Sequence, residues 1–382
     1  MLKVLTVFGT RPEAIKMAPV IKELEKYSGL IENKNCLTGQ HKDMVAPLIE
    51  LFDIRVDYDL NLMRDNQTLE HITVSVLQEV SRILREEHFD LLLVQGDTTT
   101  SMAAALAAFY CGVKIGHIEA GLRTFDKFHP YPEESNRKII DAVADVFFAH
   151  SDKAKQHLLN EGIAEASIAV TGNTVIDALM DVANRPYSFA GTPLETLPFK
   201  SKKIVLVTAH RRESFGGPFE SICKGLAELA RKYADDIELV YPVHRNPNVR
   251  AVVGKYLADL PNVRLLDPLD YLPLVQLMKR AHLVLTDSGG LQEEAPSMGK
   301  PVLVMRKVTE RQEGIEAGTL KLVGMDAADI VREASLLLDD PAAYQAMATR
   351  ANPYGDGTAS IKIVARIIEI CRVEDDAGRG NA

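Results

Sequence analysis

Two adjacent glycines follow an aspartate and a serine in DSGGLQEE, residues 287–294, directly after the apolar run HLVLT. Adjacent glycines let the backbone come close to a ligand, and free N–H groups at a helix start, with the Ser288 hydroxyl, suit phosphate oxygens. A glutamate one turn further in can accept two hydrogen bonds from vicinal hydroxyls, a job that needs an ionised acid. Six other stretches carry related chemistry. GTRPEAIK (9–16) sets Arg11 and Lys16 about a helix start, where they can meet negative charge, while GDTTTS (96–101) and EAGLR (119–123) offer the acids Asp97 and Glu119. HRRESFGG (210–217) and HRNPNVR (244–250) gather His210, Arg211, Arg212, His244 and Arg245 into a cationic cluster. PYPEESNRK (130–138) adds Glu133, Glu134 and Arg137 at a loop-to-helix junction.

Each stretch also has a plainer reading. Asp287 or Ser288 can simply cap a helix, and Asp97 ahead of TTTS is a credible N-cap. Glu133 and Glu134 can be ordinary dipole partners of a first turn, and Arg11 and Lys16 solvated cations. His117 and Glu119 are spaced like part of a metal pair, but no third ligand lies at a recognisable spacing, and no metal is expected. What favours chemistry is position: the strand-end stretches all follow an apolar run of strand length.

Those runs must be the elements that hold the site. LKVLTVF, DLLLVQ, VKIGHI and VFFAHS alternate with stretches of helical period such as AIKMAPVIKEL, SMAAALAAFY and AKQHLLNEGI. They read as parallel strands buried on both faces with crossover helices, a doubly wound sheet. Thr10 and Glu13 have capping-box spacing and Pro12 fits a first turn, so a helix starts immediately after the first strand, with a kink predicted at Pro19. NRPYSFAGTPLETLPFKSKK, residues 184–203, lacks periodicity and reads as a linker. Beyond it the alternation restarts with KIVLVTA, IELVYPV, NVRLLD, HLVLTD and KPVLVM. Phe219, Ile222, Leu226 and Leu229 form one apolar stripe on the helix between the first two. The expected fold is α/β: two Rossmann-like doubly wound domains facing a cleft, with ligands outside the carboxyl ends of the strands. The domains are read as 1–180, joined by a C-terminal helix at about 358–373, and 200–355, with 374–382 a frayed tail.

Composition agrees. A chain of 382 residues, 46% hydrophobic, can bury two cores, and its formal charge of −9 argues against bulk binding of nucleic acid or anionic lipid. An anionic ligand then requires a locally positive site, which the His/Arg cluster supplies. No apolar run is long enough to span a bilayer, and LKVLTVF is too short and wrongly flanked for a signal peptide, so the expectation is a cytoplasmic protein. Four scattered cysteines suggest neither a zinc site nor a disulfide framework.

At GTRPEAIKMAP, GDTTT, HIEAGLRT, PEESNR, TGNTVID, HRRESFG, HRNPNV, DSGGLQEEAP, GKPVLVMR, TER and NPYGDG the sequence resembles the non-hydrolysing UDP-N-acetylglucosamine 2-epimerases. The resemblance implies a GT-B fold, a UDP-sugar between the two domains, and interconversion of UDP-GlcNAc with UDP-ManNAc for bacterial surface polysaccharides. It also implies a homodimer and an allosteric UDP-GlcNAc site beside the active site. Carried over residue by residue, it makes Asp97, Glu119 and Glu133 the acid–base carboxylates, leaving open which acts on which face. His210 joins that catalytic set and also, with Arg11, Ser288, Gly289 and Gly290, the diphosphate clamp. Glu294 becomes the ribose acceptor, and Lys16, Arg137, His244 and Arg311 further substrate contacts. The allosteric pocket would draw on Gln40, His41, Gln67, Arg212 and His244. Two positions depart from the pattern: Asn66 stands where some relatives have arginine, which weakens the case for an activator, and Ala209 where many have glycine.

Granted that substrate, the chemistry follows. The C2 proton is not α to a carbonyl, so direct abstraction gives a poorly stabilised carbanion. Transient oxidation would need a nicotinamide, yet no strand is followed by G-x-G-x-x-G, and no cofactor is expected. Elimination of UDP to 2-acetamidoglucal and re-addition needs only acids, bases and cations on the leaving diphosphate. Competing readings are a GT-B UDP-sugar glycosyltransferase, a non-catalytic nucleotide-sugar sensor, and a hydrolysing epimerase, though the chain is too short for the kinase domain that often follows in that last family.

Overall fold

The computed structural model describes residues 1–39, 42–62, 67–211 and 214–379. By contacts the chain divides into two units, Met1–Ala178 with the residues from Tyr354 onward, and Leu179–Pro353.

The first unit opens with β1 (Leu2–Phe8), α1 (Arg11–Glu25), β2 (Ile31–Leu37), α2 (Lys42–Leu51), β3 (Tyr58–Asp59) and α3 (Leu69–Glu86). It continues with β4 (Leu91–Gln95), α4 (Thr99–Cys111), β5 (Lys114–Ala120), α5 (Glu133–Val143), β6 (Val146–Ala149), α6 (Asp152–Asn160), β7 (Ile168–Val170) and α7 (Thr174–Asn184), which runs on into the second unit. Its strands are all parallel, in the order β3-β2-β1-β4-β5-β6-β7. Strand order reverses between β1 and β4, and at such a switch point the loops leaving the two carboxyl ends open a crevice.

The core explains the arrangement. Leu5, Val7, Leu92, Val94 and Ile115 form one buried cluster with α3 and with the alanines of α4, Ala103, Ala104, Ala105, Ala107 and Ala108. Small side chains let α3 and α4 pack closely, and each fully buried leucine contributes about 1.5–3 kcal/mol. Pro19 removes one backbone donor, yet α1 is a single helix from Arg11 to Glu25.

The second unit has β8 (Lys203–Thr208), α8 (Gly217–Lys232), β9 (Ile237–Pro242), α9 (Pro247–Leu257), β10 (Val263–Leu266), α10 (Tyr271–Arg280) and β11 (Leu283–Thr286). Then come α11 (Gly289–Glu294), β12 (Val302–Val304), α12 (Gln312–Ala317), β13 (Leu320–Leu322), α13 (Ala327–Asp339) and α14 (Pro341–Ala348). Its parallel order is β10-β9-β8-β11-β12-β13, with the switch between β8 and β11. The predicted stripe Phe219, Ile222, Leu226 and Leu229 is buried in the same cluster as Val205, Val207, Leu239 and Tyr241.

Residues 185–202 are not slack chain. Phe189, Leu194 and Leu197 are buried, the Phe189 and Phe199 rings stack at 5.2 Å, and the Arg280 guanidinium lies 4.4 Å above Phe189. The last helix, α15 (Ala359–Arg379), returns to the first unit and packs on α1. Asp177 caps it, accepting from the amides of Ala359 (3.1 Å) and Ser360 (2.8 Å) and from the Ser360 hydroxyl (2.6 Å). Cys36 and Cys223 are free thiols in the two cores, and burial pushes both up to about 12.

Candidate active site

In the first unit, the loop after β1 and the loop after β4 are tied by one carboxylate. Glu13, almost wholly buried, accepts from the amides of Gly9 (3.0 Å) and Thr10 (2.7 Å) and the hydroxyls of Thr98 (2.5 Å) and Ser101 (2.8 Å). The capping box is present, and it also reaches across the switch point. Arg11 opens α1 there, half-buried. The cap of α4 is Thr98, which accepts from the Ser101 amide at 3.0 Å, so Asp97 is not used as a cap.

Asp97 is instead paired with the Arg137 guanidinium, and Asn136 Nδ2 donates to its carbonyl at 3.0 Å. Arg137 also binds Glu134 Oε2 at 2.7 Å, while Glu134 accepts from the amides of Thr124 and Phe125, both at 3.0 Å. Glu134 therefore holds the preceding loop. Glu133 begins α5, and its Oε2 is buried with no hydrogen bond among the described residues. An unsatisfied buried carboxylate oxygen is costly and needs a reason.

Glu119 leaves β5 at a bulge with φ of +68°, a left-handed conformation that costs about 1–3 kcal/mol for a residue with a side chain. Its carboxylate is fixed by Lys16 Nζ at 2.5 Å and Gln95 Nε2 at 2.7 Å. Gln95 pairs with Ile118 in the β4–β5 register, so Asp97 and Glu119 leave adjacent strand ends. The His117 ring faces Asp141 and the Gly96 carbonyl, so it and Glu119 serve separate partners. Among the described residues no group of three His, Cys, Asp or Glu side chains could hold a metal ion.

In the second unit, Asp287 is fully buried at the end of β11 and does not cap α11. Its Oδ2 accepts from the amides of His210 (2.6 Å) and Arg211 (2.7 Å), which shapes the loop after β8. Its Oδ1 makes no hydrogen bond among the described residues and lies 3.7 Å from His210 Nδ1. The His210 ring stacks on His244 at 4.9 Å, nearly parallel. Burial holds His210 below the usual histidine range; His244 and Arg211 push the same way, and Asp287 opposes them.

Ser288 is the N-cap of α11 but its hydroxyl makes no capping bond. A Cβ on Gly289 would sit 3.2 Å from the Arg311 guanidinium carbon, so glycine is what lets this cation lie against the turn. Arg311 is oriented by Glu293 (2.8 Å) and Glu310 (2.6 Å). Burial raises Glu310, but Arg311 and Arg306 outweigh it and hold the carboxyl at about 2. Glu294 accepts from the Tyr271 hydroxyl at 2.8 Å, and a Cβ on Gly290 would stand 3.7 Å from its other oxygen.

Sequence reasoning assigned no site role to Glu13, Gln95, Asp141, Asp287, Tyr271, Glu293 or Glu310. Glu13 was visible only as a cap, and Tyr271 carries no local signal at all. Of the proposed allosteric residues, Gln67 directly precedes Thr68, the N-cap of α3. Gln40, His41 and Arg212, with Asn66, lie outside the described residues.

A family model described as UDP-N-acetylglucosamine 2-epimerase matches residues 22–368. The chain belongs to that family. The UDP-N-acetylglucosamine 2-epimerase of Escherichia coli K12 is 51% identical over 368 residues, 95% of this chain and 97% of the relative. A crystal structure of a UDP-N-acetylglucosamine 2-epimerase from Listeria monocytogenes, described there as putative, superposes with a TM-score of 0.90 at 44% identity, covering 96% and 95% of the two chains. The Neisseria meningitidis UDP-GlcNAc 2-epimerase, solved bound to UDP-GlcNAc, gives 0.87 at 46% identity over 96% of this chain and all of that one. The fold class of this epimerase-family chain is GT-B, built from two Rossmann-like units. No helix among its described residues is long and apolar enough to cross a membrane.

Proposed function

We propose that the protein interconverts UDP-GlcNAc and UDP-ManNAc by anti-face proton exchange at C2, feeding bacterial surface polysaccharide synthesis. A carboxylate removes the C2 proton while the C1–O bond breaks and its electron pair leaves with UDP, giving 2-acetamidoglucal. The diphosphate oxygen then re-adds to C1 as an acid delivers a proton to the opposite face of C2. Asp97, Glu119 and Glu133 are the acid–base groups, each contributing about 10²–10⁴ in rate where it moves the proton. Arg11, His210, Ser288, Gly289 and Gly290 hold the diphosphate, Glu294 the ribose hydroxyls, and Lys16, Arg137, His244 and Arg311 support these contacts. Within this reading the enzyme works in the cytoplasm as a homodimer, takes no nicotinamide or metal, and has an allosteric UDP-GlcNAc pocket that draws on Gln40, His41, Gln67 and Arg212.

The observation that carries the proposal is that both switch points bear complementary halves of this chemistry. Carboxylates paired with cations end β4 and β5, and one whose Oε2 has no hydrogen bond among the described residues starts α5, while cations, a hydroxyl and paired glycines follow β8 and β11. Incubating UDP-GlcNAc with the protein in D₂O tests it. Deuterium should appear at C2 in both nucleotide sugars without added NAD. Free ManNAc accumulating at the rate of turnover would refute the reversible reaction and favour hydrolysis.

A further inference from the structure

His117 is fully buried on β5, with an oxygen against each ring nitrogen: Asp141 Oδ1 2.6 Å from Nδ1, and the Gly96 carbonyl 2.7 Å from Nε2. A carbonyl only accepts. Asp141 is likewise fixed as an acceptor: burial raises its carboxyl, but His117 and Arg123 together hold it below the usual range, Arg123 at 2.6 Å. Both ring nitrogens must therefore carry hydrogen for both contacts to be made. Arg123 continues to the exposed Glu161 at 2.8 and 2.5 Å, so the charges along this series alternate in sign.

This chain of groups ends on one peptide. The Gly96 N–H donates to Ile118 O at 2.9 Å, and the Gly96 carbonyl takes the His117 Nε2–H, so β5 holds Gly96 through the peptide units on both sides of it. Gly96 has φ of +70°, and the next residue is Asp97. We propose that His117 is a positioning residue for Asp97. It acts through the single Nε2–H bond to the Gly96 carbonyl, which sets the angle at which Asp97 leaves β4, and not through its charge. The inference rests on Asp97 being an acid–base group.

Two amide substitutions separate the bond from the charge. His117→Gln removes the charge but places an amide nitrogen near the Nε2 position, able to donate to Gly96. His117→Asn also removes the charge and reaches toward Asp141, leaving the Gly96 carbonyl without its donor. Both should lower the melting temperature alike. With KM and UDP affinity unchanged, the glutamine variant should keep kcat within about tenfold, and the asparagine variant should lose about 10²-fold, the scale of a misplaced group. Equal kcat in the two variants would overturn the proposal. Should either fail to fold, ¹⁵N-histidine spectra of the wild-type protein decide instead: both His117 ring nitrogens should bear hydrogen, and a bare Nε2 would overturn it. Asp97→Asn run alongside keeps the failures distinct, because an active Asp97→Asn variant removes the catalytic reading itself.

Discussion

Lys16 and Gln95 converge on one oxygen of Glu119, and Arg137 on Asp97, so both carboxylates are held in fixed orientations. Asp97→Asn keeps the shape but cannot take a proton; turnover should fall by about 10²–10⁴ while UDP binding, followed by calorimetry, stays near wild type. Arg311→Lys tests the other unit. A lysine cannot span Glu293 and Glu310 together, so the variant should lose about 1–3 kcal/mol in urea unfolding and bind UDP roughly tenfold more weakly. His282 reports on pH. Burial, then Lys203, lowers it from 6.5 to about 4, so the folded state refuses a proton that the unfolded chain accepts. Its contribution is complete above about 6.5 and is lost as pH falls toward 4. The stability difference between wild type and His282→Phe should shrink over that window in urea titrations. At this scale the sequence was legible where chemistry is local, as in the Thr10–Glu13 box. It was not where one residue serves a loop on another strand, as Asp287 serves His210 from 77 positions away.

Elements were read best where they are apolar. The runs LLLVQ and KIVLVT became β4 and β8 because strands buried on both faces need continuous hydrophobic sequence. β2, IENKNCL, defeats that rule. Its Asn33 and Asn35 are buried, and Asn35 Oδ1 accepts from Asn33 Nδ2 at 2.8 Å and from the Thr6 hydroxyl at 2.6 Å, while Asn33 Oδ1 has no partner among the described residues, so a polar strand sits inside the sheet. No apolar period can reveal a strand whose polar groups find partners only after pairing. The turn after β5 yields the element-scale prediction. Gly121 has φ of +83°, and a Cβ there would stand 2.3 Å from the Ala154 carbonyl oxygen, a backbone atom. Gly121→Ala should therefore destabilise the protein by more than about 2 kcal/mol in denaturant unfolding and, by shifting the Glu119 turn, reduce kcat as well.

At the scale of the molecule, tandem alternation of apolar runs and helical stretches was enough to expect two doubly wound sheets, since few topologies bury such strands on both faces. Residues 185–202 were harder: they have no period, yet Phe189, Leu194 and Leu197 find buried places in the second unit. Ending the chain at Pro353 would strip the first unit of Tyr354, Ile363, Val364 and Ile367, all buried, and leave Asp177 without the helix it caps. Hydrogen exchange on that variant should show β1 and β4 losing protection while β8 and β11 keep theirs. The same arrangement reaches into biosynthesis. A ribosome releases β1 to β7 long before α15 emerges, so the earliest-made sheet waits, one face incomplete, until the second unit has also been translated. A message cut short before α15 would strand that sheet as prey for proteases, and intact protein would accumulate only from reading through that helix.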